Sequence, residues 1–280
     1  MTSLSTQEIL RSARDLPALP AIVMELIQCM GDPHANMEQL AVKISHDQAL
    51  ASKTLRLANS SFYGLSRQVT SIAEATTILG LRTLRSIATA AGLVGSFARP
   101  VGSSFDFAAF WRHSIGTALC ARSLAQAARL DEDAAFTLGL LHDIGRLVLA
   151  THYSAQYTAA MAYQREQDCL NLEAEQHILG TDHTVVGGLI AEHWNFSPAI
   201  VAAIVGHHNP PDTSEKCLTD VVHVADNIAH AMDLSRQDGD MVPALSMPAW
   251  SRLGLGESAY AQVFQSTEQQ YGAVCQILLT

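Results

Sequence analysis

The stretch LLHDIGRLVL, residues 140–149, sets His142 and Asp143 side by side in an otherwise apolar run. Burying an unpaired imidazole or carboxylate is costly, so both side chains demand partners. The run lies inside a longer helical piece, DEDAAFTLGLLHDIGRLVLATHY, residues 131–153. Neighbouring side chains on a helix point about 100° apart. Both can still address a metal ion lying beside the helix, especially where Gly145 relaxes the backbone. The acidic run Asp131, Glu132 and Asp133 reads as a helix N-terminus favoured by the helix dipole, and not as part of a ligand set.

The rest of the chain has the same helical texture. Period-two alternation and Asn-Gly hairpin turns are nearly absent. STQEILRSA (5–13) opens with a capping box, Ser5 followed by Glu8. In LPALPAIVMELIQCM (16–30), Pro20 anchors a helix carrying Ile22, Leu26 and Met30 at helical spacing. Asn36 caps a short amphipathic helix. A further helix is expected over 48–64, and another over 71–97 with a break at Gly80. RPVGSS (99–104) has the composition of a linker. The expected fold is therefore all-α, with an N-terminal helical unit over 1–100 and a second helical unit over 105–280 closed by a C-terminal helix. The stretch 235–256 is expected to be loop-like.

Composition narrows the function. Asp and Glu total 27 against 17 for Lys and Arg, a formal net charge of -10, which disfavours nucleic acid as a partner. Arg82 and Arg85 in GLRTLRSIA read as solvated groups on a packing helix. The 5 cysteines are scattered without a CxxC, as in reduced thiols of a cytoplasmic protein. No apolar signal core opens the chain, and no run of apolar residues is long enough to predict a membrane span.

Further groups able to bind a metal recur along the chain: His113 in FWRHS, His183 in TDHTVVG, His207 and His208 in VGHHNP, and Asp226 in VADNIA. Each sits on an expected helix or at its edge, bordered by apolar or small residues. Any one of these histidines taken alone is also explained as a hydrogen-bonded core residue. Taken together with His142 and Asp143 they exceed the needs of one ion and suit two, with Asp143 between them. Mixed imidazole and carboxylate ligation favours iron or manganese, with zinc or magnesium as alternatives. His34, His46, His152, His177, His193, His223 and His230 are read as surface or structural residues, with His193 and His223 nearest the candidates in sequence.

The order His113, His142-Asp143, His183, His207-His208, Asp226 resembles that of the HD superfamily of metal-dependent phosphohydrolases. It resembles most closely the two-metal cyclic-dinucleotide phosphodiesterase branch, HD-GYP. That likeness implies one ion on His113, His142, Asp143 and Asp226, and a second on Asp143, His183, His207 and His208. The double histidine is followed here by NPPDTSEK in place of the Gly-Tyr-Pro loop, and HDIG is followed by Arg146 in place of lysine. The cyclic-dinucleotide substrate is therefore not carried over.

LPALPAIVMELIQ, ISHDQALASKTLRLANSSFYG, SIAEATTILGLRTLRSI and LEAEQHILGTDHTVVGGLIAEHW resemble the HDOD family, the HD-related output domains, over almost the whole chain. That resemblance implies an HD-like bundle acting in signalling, through association with a regulatory protein. The complete set of ligand-type residues points instead to hydrolysis of a nucleotide or other phosphodiester. In that alternative Asp143 orients the attacking water, and Arg146, four residues after His142, faces the site.

Overall fold

In the computed structural model, which describes residues 4, 19–30, 36–97 and 105–280, Pro20 does precede the first of the described helices. The capping box at Ser5 and the linker at 99–104 lie outside the described residues. Fifteen helices are present among those described, and no strand. They are α1 (Ala21–Gln28), α2 (Met37–His46), α3 (Gln48–Ala58), α4 (Ile72–Leu79), α5 (Leu81–Ser96), α6 (Phe107–Ala128), α7 (Glu132–Leu141), α8 (Ile144–His152), α9 (Ser154–Gln167), α10 (Asn171–Leu179), α11 (His183–His193), α12 (Pro198–Gly206), α13 (Leu218–Ala231), α14 (Met247–Leu253) and α15 (Glu257–Leu279).

Local chemistry sets the boundaries. Asn36 accepts from the Gln39 nitrogen, Asp47 from Leu50, and Ser71 from Glu74, so each helix start has an acceptor for an otherwise orphaned N–H. Asp131 caps α7 by accepting from the nitrogens of Asp133 and Ala134, as its place in the acidic run required. Gly80, at φ 82°, separates α4 from α5. The helix expected over 48–64 stops at Ala58. There Asn59 turns its amide onto the backbone of Val69, donating to the carbonyl and accepting from the nitrogen, and so holds residues 59–64 as a turn. The stretch 235–256, read as loop, contains the short helix α14, started by Ser246.

Helix α6 is the axis of the fold, with α7, α13 and α15 packed along it. One apolar cluster runs from Val23, Leu57 and Ile87 through Ile115 to Leu141 and Leu147. The segment Glu132–His152 is long and apolar enough by composition to cross a membrane, yet 94% of its most apolar window is buried inside the protein. It is the core pair α7–α8. A clamp fastens its start. The Arg122 guanidinium of α6 donates to Asp133 at 2.9 Å and lies 5.2 Å and 5.1 Å from the ring centres of Phe62 and Tyr63, in the 59–64 turn.

Candidate metal centre

His142 and Asp143 do not lie within one helix. Helix α7 ends at Leu141, His142 is its C-cap, and Asp143 is the N-cap of α8. This two-residue break directs both side chains to one point. Gly145 serves differently from the expectation of a relaxed backbone. A Cβ there would lie 2.0 Å from the His183 carbonyl oxygen and 2.7 Å from the Gly187 nitrogen. The absent side chain lets α8 and α11 touch, and that contact brings His183 to Asp143.

All seven sequence-derived candidates converge. His113 projects from the middle of α6, His183 is the first residue of α11, His207 caps the end of α12, His208 follows it, and Asp226 lies on α13. Only His208 is more than marginally exposed, at 18% of its side chain. Two donor groups result, one of His113, His142 and Asp226, the other of Asp143, His183, His207 and His208. Asp143 faces both. Its Oδ1 lies 3.3 Å and 3.5 Å from Nε2 of His183 and His207, and its Oδ2 lies 3.6 Å from Nε2 of His142. Arg146 reaches the same carboxylate, donating from Nη1 to Oδ2 at 2.9 Å, while its Nε donates to the Tyr157 hydroxyl.

The hydrogen bonds on the outer side of the rings decide what the inner side offers. Nδ1 of His142 donates to the Gly139 carbonyl at 2.7 Å, and Nδ1 of His207 to the Ile204 carbonyl at 2.7 Å. A carbonyl only accepts, so Nδ1 carries a proton, and it is Nε2 that turns inward, offering a bare lone pair whenever the ring is neutral. Nδ1 of His183 faces Glu175 Oε2 at 2.6 Å, which likewise turns Nε2 inward, where it carries a proton in the metal-free protein and becomes a cation donor once that proton leaves. These inner nitrogens then confront other acceptors. Nε2 of His183 is 3.4 Å from that of His207, and Nε2 of His142 is 3.4 Å from Asp226 Oδ1. Oδ2 of Asp226 is shielded from solvent and accepts no hydrogen bond. Lone pairs and carboxylate oxygens at these separations repel unless positive charge lies between them. This donor set fits a divalent cation.

The titration behaviour reflects the same demand. Burial alone would raise both carboxyls. Instead His142, Arg146 and His183 hold Asp143 well below the usual carboxylate range, and His230, His113 and His142 do so for Asp226. Burial would lower His183, but the carboxylates of Glu175 and Asp143 lift it to about 9. His208 goes the other way, to about 2, through burial and the neighbouring imidazoles of His207 and His183. The imidazoles thus divide into groups that carry a proton to balance the carboxylates and groups that stay neutral.

Three participants escaped the sequence reading. Glu175, 0% exposed, orients His183. His230, read as surface or structural, stands between Asp226 and Asp240, with Nε2 3.4 Å from Asp226 Oδ1 and Nδ1 3.0 Å from Asp240 Oδ1. Its four-residue spacing from Asp226 on α13 was the available signal. The third, Asp240, belongs to the irregular stretch after α13 and carried none. His223 is buried and structural as expected, donating from Nδ1 to the His207 carbonyl and accepting at Nε2 from the Ser246 nitrogen. Arg112 turns away to the Ser235 carbonyl. A cavity of about 160 Å3 opens onto the centre, and Asp143, His183, His208 and Asp226 form its floor.

The HDOD domain family model matches residues 16–210. The chain belongs to the HDOD family. Among solved structures, this HDOD protein is similar to an HDOD domain protein of unknown function from Geobacter sulfurreducens, with a TM-score of 0.82 and 25% identity, covering 99% of this chain and 100% of that one. It is also similar to a Shewanella amazonensis protein provisionally named a phosphohydrolase, with a TM-score of 0.75 and 27% identity over 96% and 97% of the two chains. An uncharacterized protein of Treponema pallidum is 28% identical over 211 residues, which cover 72% of this chain and 39% of that protein. The HDOD chain therefore spans well under half the length of that curated relative. The matched structures share its all-helical architecture.

Proposed function

We propose that this HDOD protein is a two-metal phosphohydrolase acting on phosphoesters. The observation that supports it is the set of inward-facing Nε2 atoms and carboxylate oxygens grouped on either side of Asp143 and open to a cavity. His113, His142, Asp143 and Asp226 would hold one divalent ion, and Asp143, His183, His207 and His208 the other, with iron or manganese first and zinc or magnesium as alternatives. When bound, such ions polarise a phosphoryl oxygen and lower the pKa of a water. The protein's own part is positional. Asp143 presents one oxygen to each donor group. Arg146 fixes the Asp143 carboxylate, and Glu175 fixes the tautomer and angle of His183.

A second reading, a regulatory module acting through association with a protein partner, has one observation in its favour. Arg146 is the only lysine or arginine among the described residues lining the cavity, and Asp143 and Tyr157 already engage it. Among the described residues no other such group lines the cavity to stabilise charge developing on a phosphoryl group. In that reading the N-terminal unit, 1–100, packed on the second unit, 105–280, binds the partner as one assembly.

The two readings separate in one experiment. Protein loaded with manganese or ferrous iron is offered phosphomonoesters, cyclic mononucleotides and a chromogenic phosphodiester. Turnover that Asp143→Ala abolishes without loss of helicity is the expected result. Metal uptake with no turnover across the panel would favour the second reading.

A further inference from the structure

The cavity above the centre has a chemistry of its own. Its walls come from the start of α10, with Leu170 and Leu172, and from the strap joining α13 to α14, with Met241, Pro243 and Ala244. These apolar side chains face a floor of carboxylates and imidazoles. The strap is held in place from several sides. Arg112 donates to the Ser235 carbonyl, Gln164 to the Gly239 carbonyl, and Ser235 to Asp240. His230 also reaches Asp240. The walls are therefore a built part of the fold. Asn171, in the same lining, keeps its Oδ1 shielded from solvent without a hydrogen bond.

We infer that the cavity takes a small ester carrying a single phosphate group and a compact apolar body, and rejects nucleotides. This rests on the metal-centre reading, because the phosphate group is placed at the ions. Three features argue for it. The space of about 160 Å3 is close to the enclosed apolar cavity of about 150 Å3 that holds one benzene ring. The walls are leucine, methionine and proline side chains, and of the polar groups among them Gln164 and Asp240 are engaged by Gly239, Ser235 and His230, so a ribose would find one unpaired acceptor, Asn171 Oδ1, for its several hydroxyls. Arg146 is already engaged, which leaves no lysine or arginine among the described lining residues for a second phosphate.

The test is calorimetric titration of manganese-loaded protein with inorganic phosphate, phenyl phosphate, adenosine monophosphate and cyclic di-GMP. Phenyl phosphate is expected to bind about tenfold or more tightly than inorganic phosphate, since its ring leaves water for the apolar wall. Adenosine monophosphate is expected to gain nothing over inorganic phosphate, and cyclic di-GMP to bind more weakly than either. The double variant Leu172→Asn, Met241→Gln is expected to erase the phenyl advantage while metal content and inorganic phosphate affinity stay unchanged. Phenyl phosphate no tighter than inorganic phosphate, or a nucleotide as tight as phenyl phosphate, would overturn the inference and leave the metal centre standing. Failure to take up manganese would remove both.

Discussion

Glu175 holds His183 at two points, its Oε2 accepting from the backbone nitrogen at 2.8 Å and facing ring Nδ1 at 2.6 Å. A buried carboxylate bonded to the outer nitrogen of an imidazole sets the ring's angle and makes its inner nitrogen a better donor to a cation. Glu175→Gln keeps the volume and removes the charge. It is expected to weaken metal binding by about 10–100-fold. Competition against a chelating dye of known affinity measures this, with circular dichroism to show that the helices remain.

Asp143 is the one residue shared by both proposed ion sites. Asp143→Ala is expected to bring bound manganese from about two equivalents per chain to nearly none, whereas His113→Ala or His208→Ala removes about one. Elemental analysis of dialysed protein distinguishes these outcomes. Equal losses in all three variants would show that Asp143 does not bridge.

Gly145 is expected to tolerate no side chain. In Gly145→Ala the new methyl lies 2.0 Å from a carbonyl oxygen of α11, and a backbone atom cannot rotate away as a side chain can. Overpacking of this kind costs about 1–3 kcal/mol. Urea unfolding is expected to show that loss, and manganese affinity to fall with it, because α11 carries His183.

The metal-free protein is expected to be most stable near pH 6.5. His183 has a folded pKa of about 9 against an ordinary 6.5, so its contribution is complete below 6.5 and is lost as pH rises to about 9. The loss is on the order of 3 kcal/mol. His142 and His230 are raised as well and add in the same direction, each by carboxylates that outweigh burial. Burial lowers His113, His207 and His208, so these groups contribute stability above 6.5 that is lost on acidification. Denaturation of chelator-treated protein across pH 5 to 9 measures the maximum. Loading with manganese is expected to flatten the alkaline side, since the cation takes over the role of the protons.

Much of this was legible in the chain. Helical periodicity, Pro20, Asn36 and the Asp131 cap report local preferences, and local preferences are written in adjacent residues. The seven converging side chains were found because each combined a metal-capable group with an apolar setting. The family resemblance supplied their order. Boundaries fared worse where a distant backbone intervened. Asn59 ends α3 by bonding to Val69, ten residues on, and no periodicity foretells that. Gly145 looked like a point of freedom because the α11 backbone that requires it lies some 40 residues away in sequence. Glu175 and Asp240 were missed for the same reason, since their roles exist only after α10 and the strap close on the centre.

Helix α7 joins two regions that the sequence presents as unrelated. At its first turn Asp133 receives Arg122, which lies against Phe62 and Tyr63; at its far end the chain breaks into His142 and Asp143. Ten residues make a rod of about 15 Å. The same short rod is thus moored at one end against the turn at 59–64 and ends at the other in Asp143, so the position of that carboxylate is referred to the N-terminal helices through a single element.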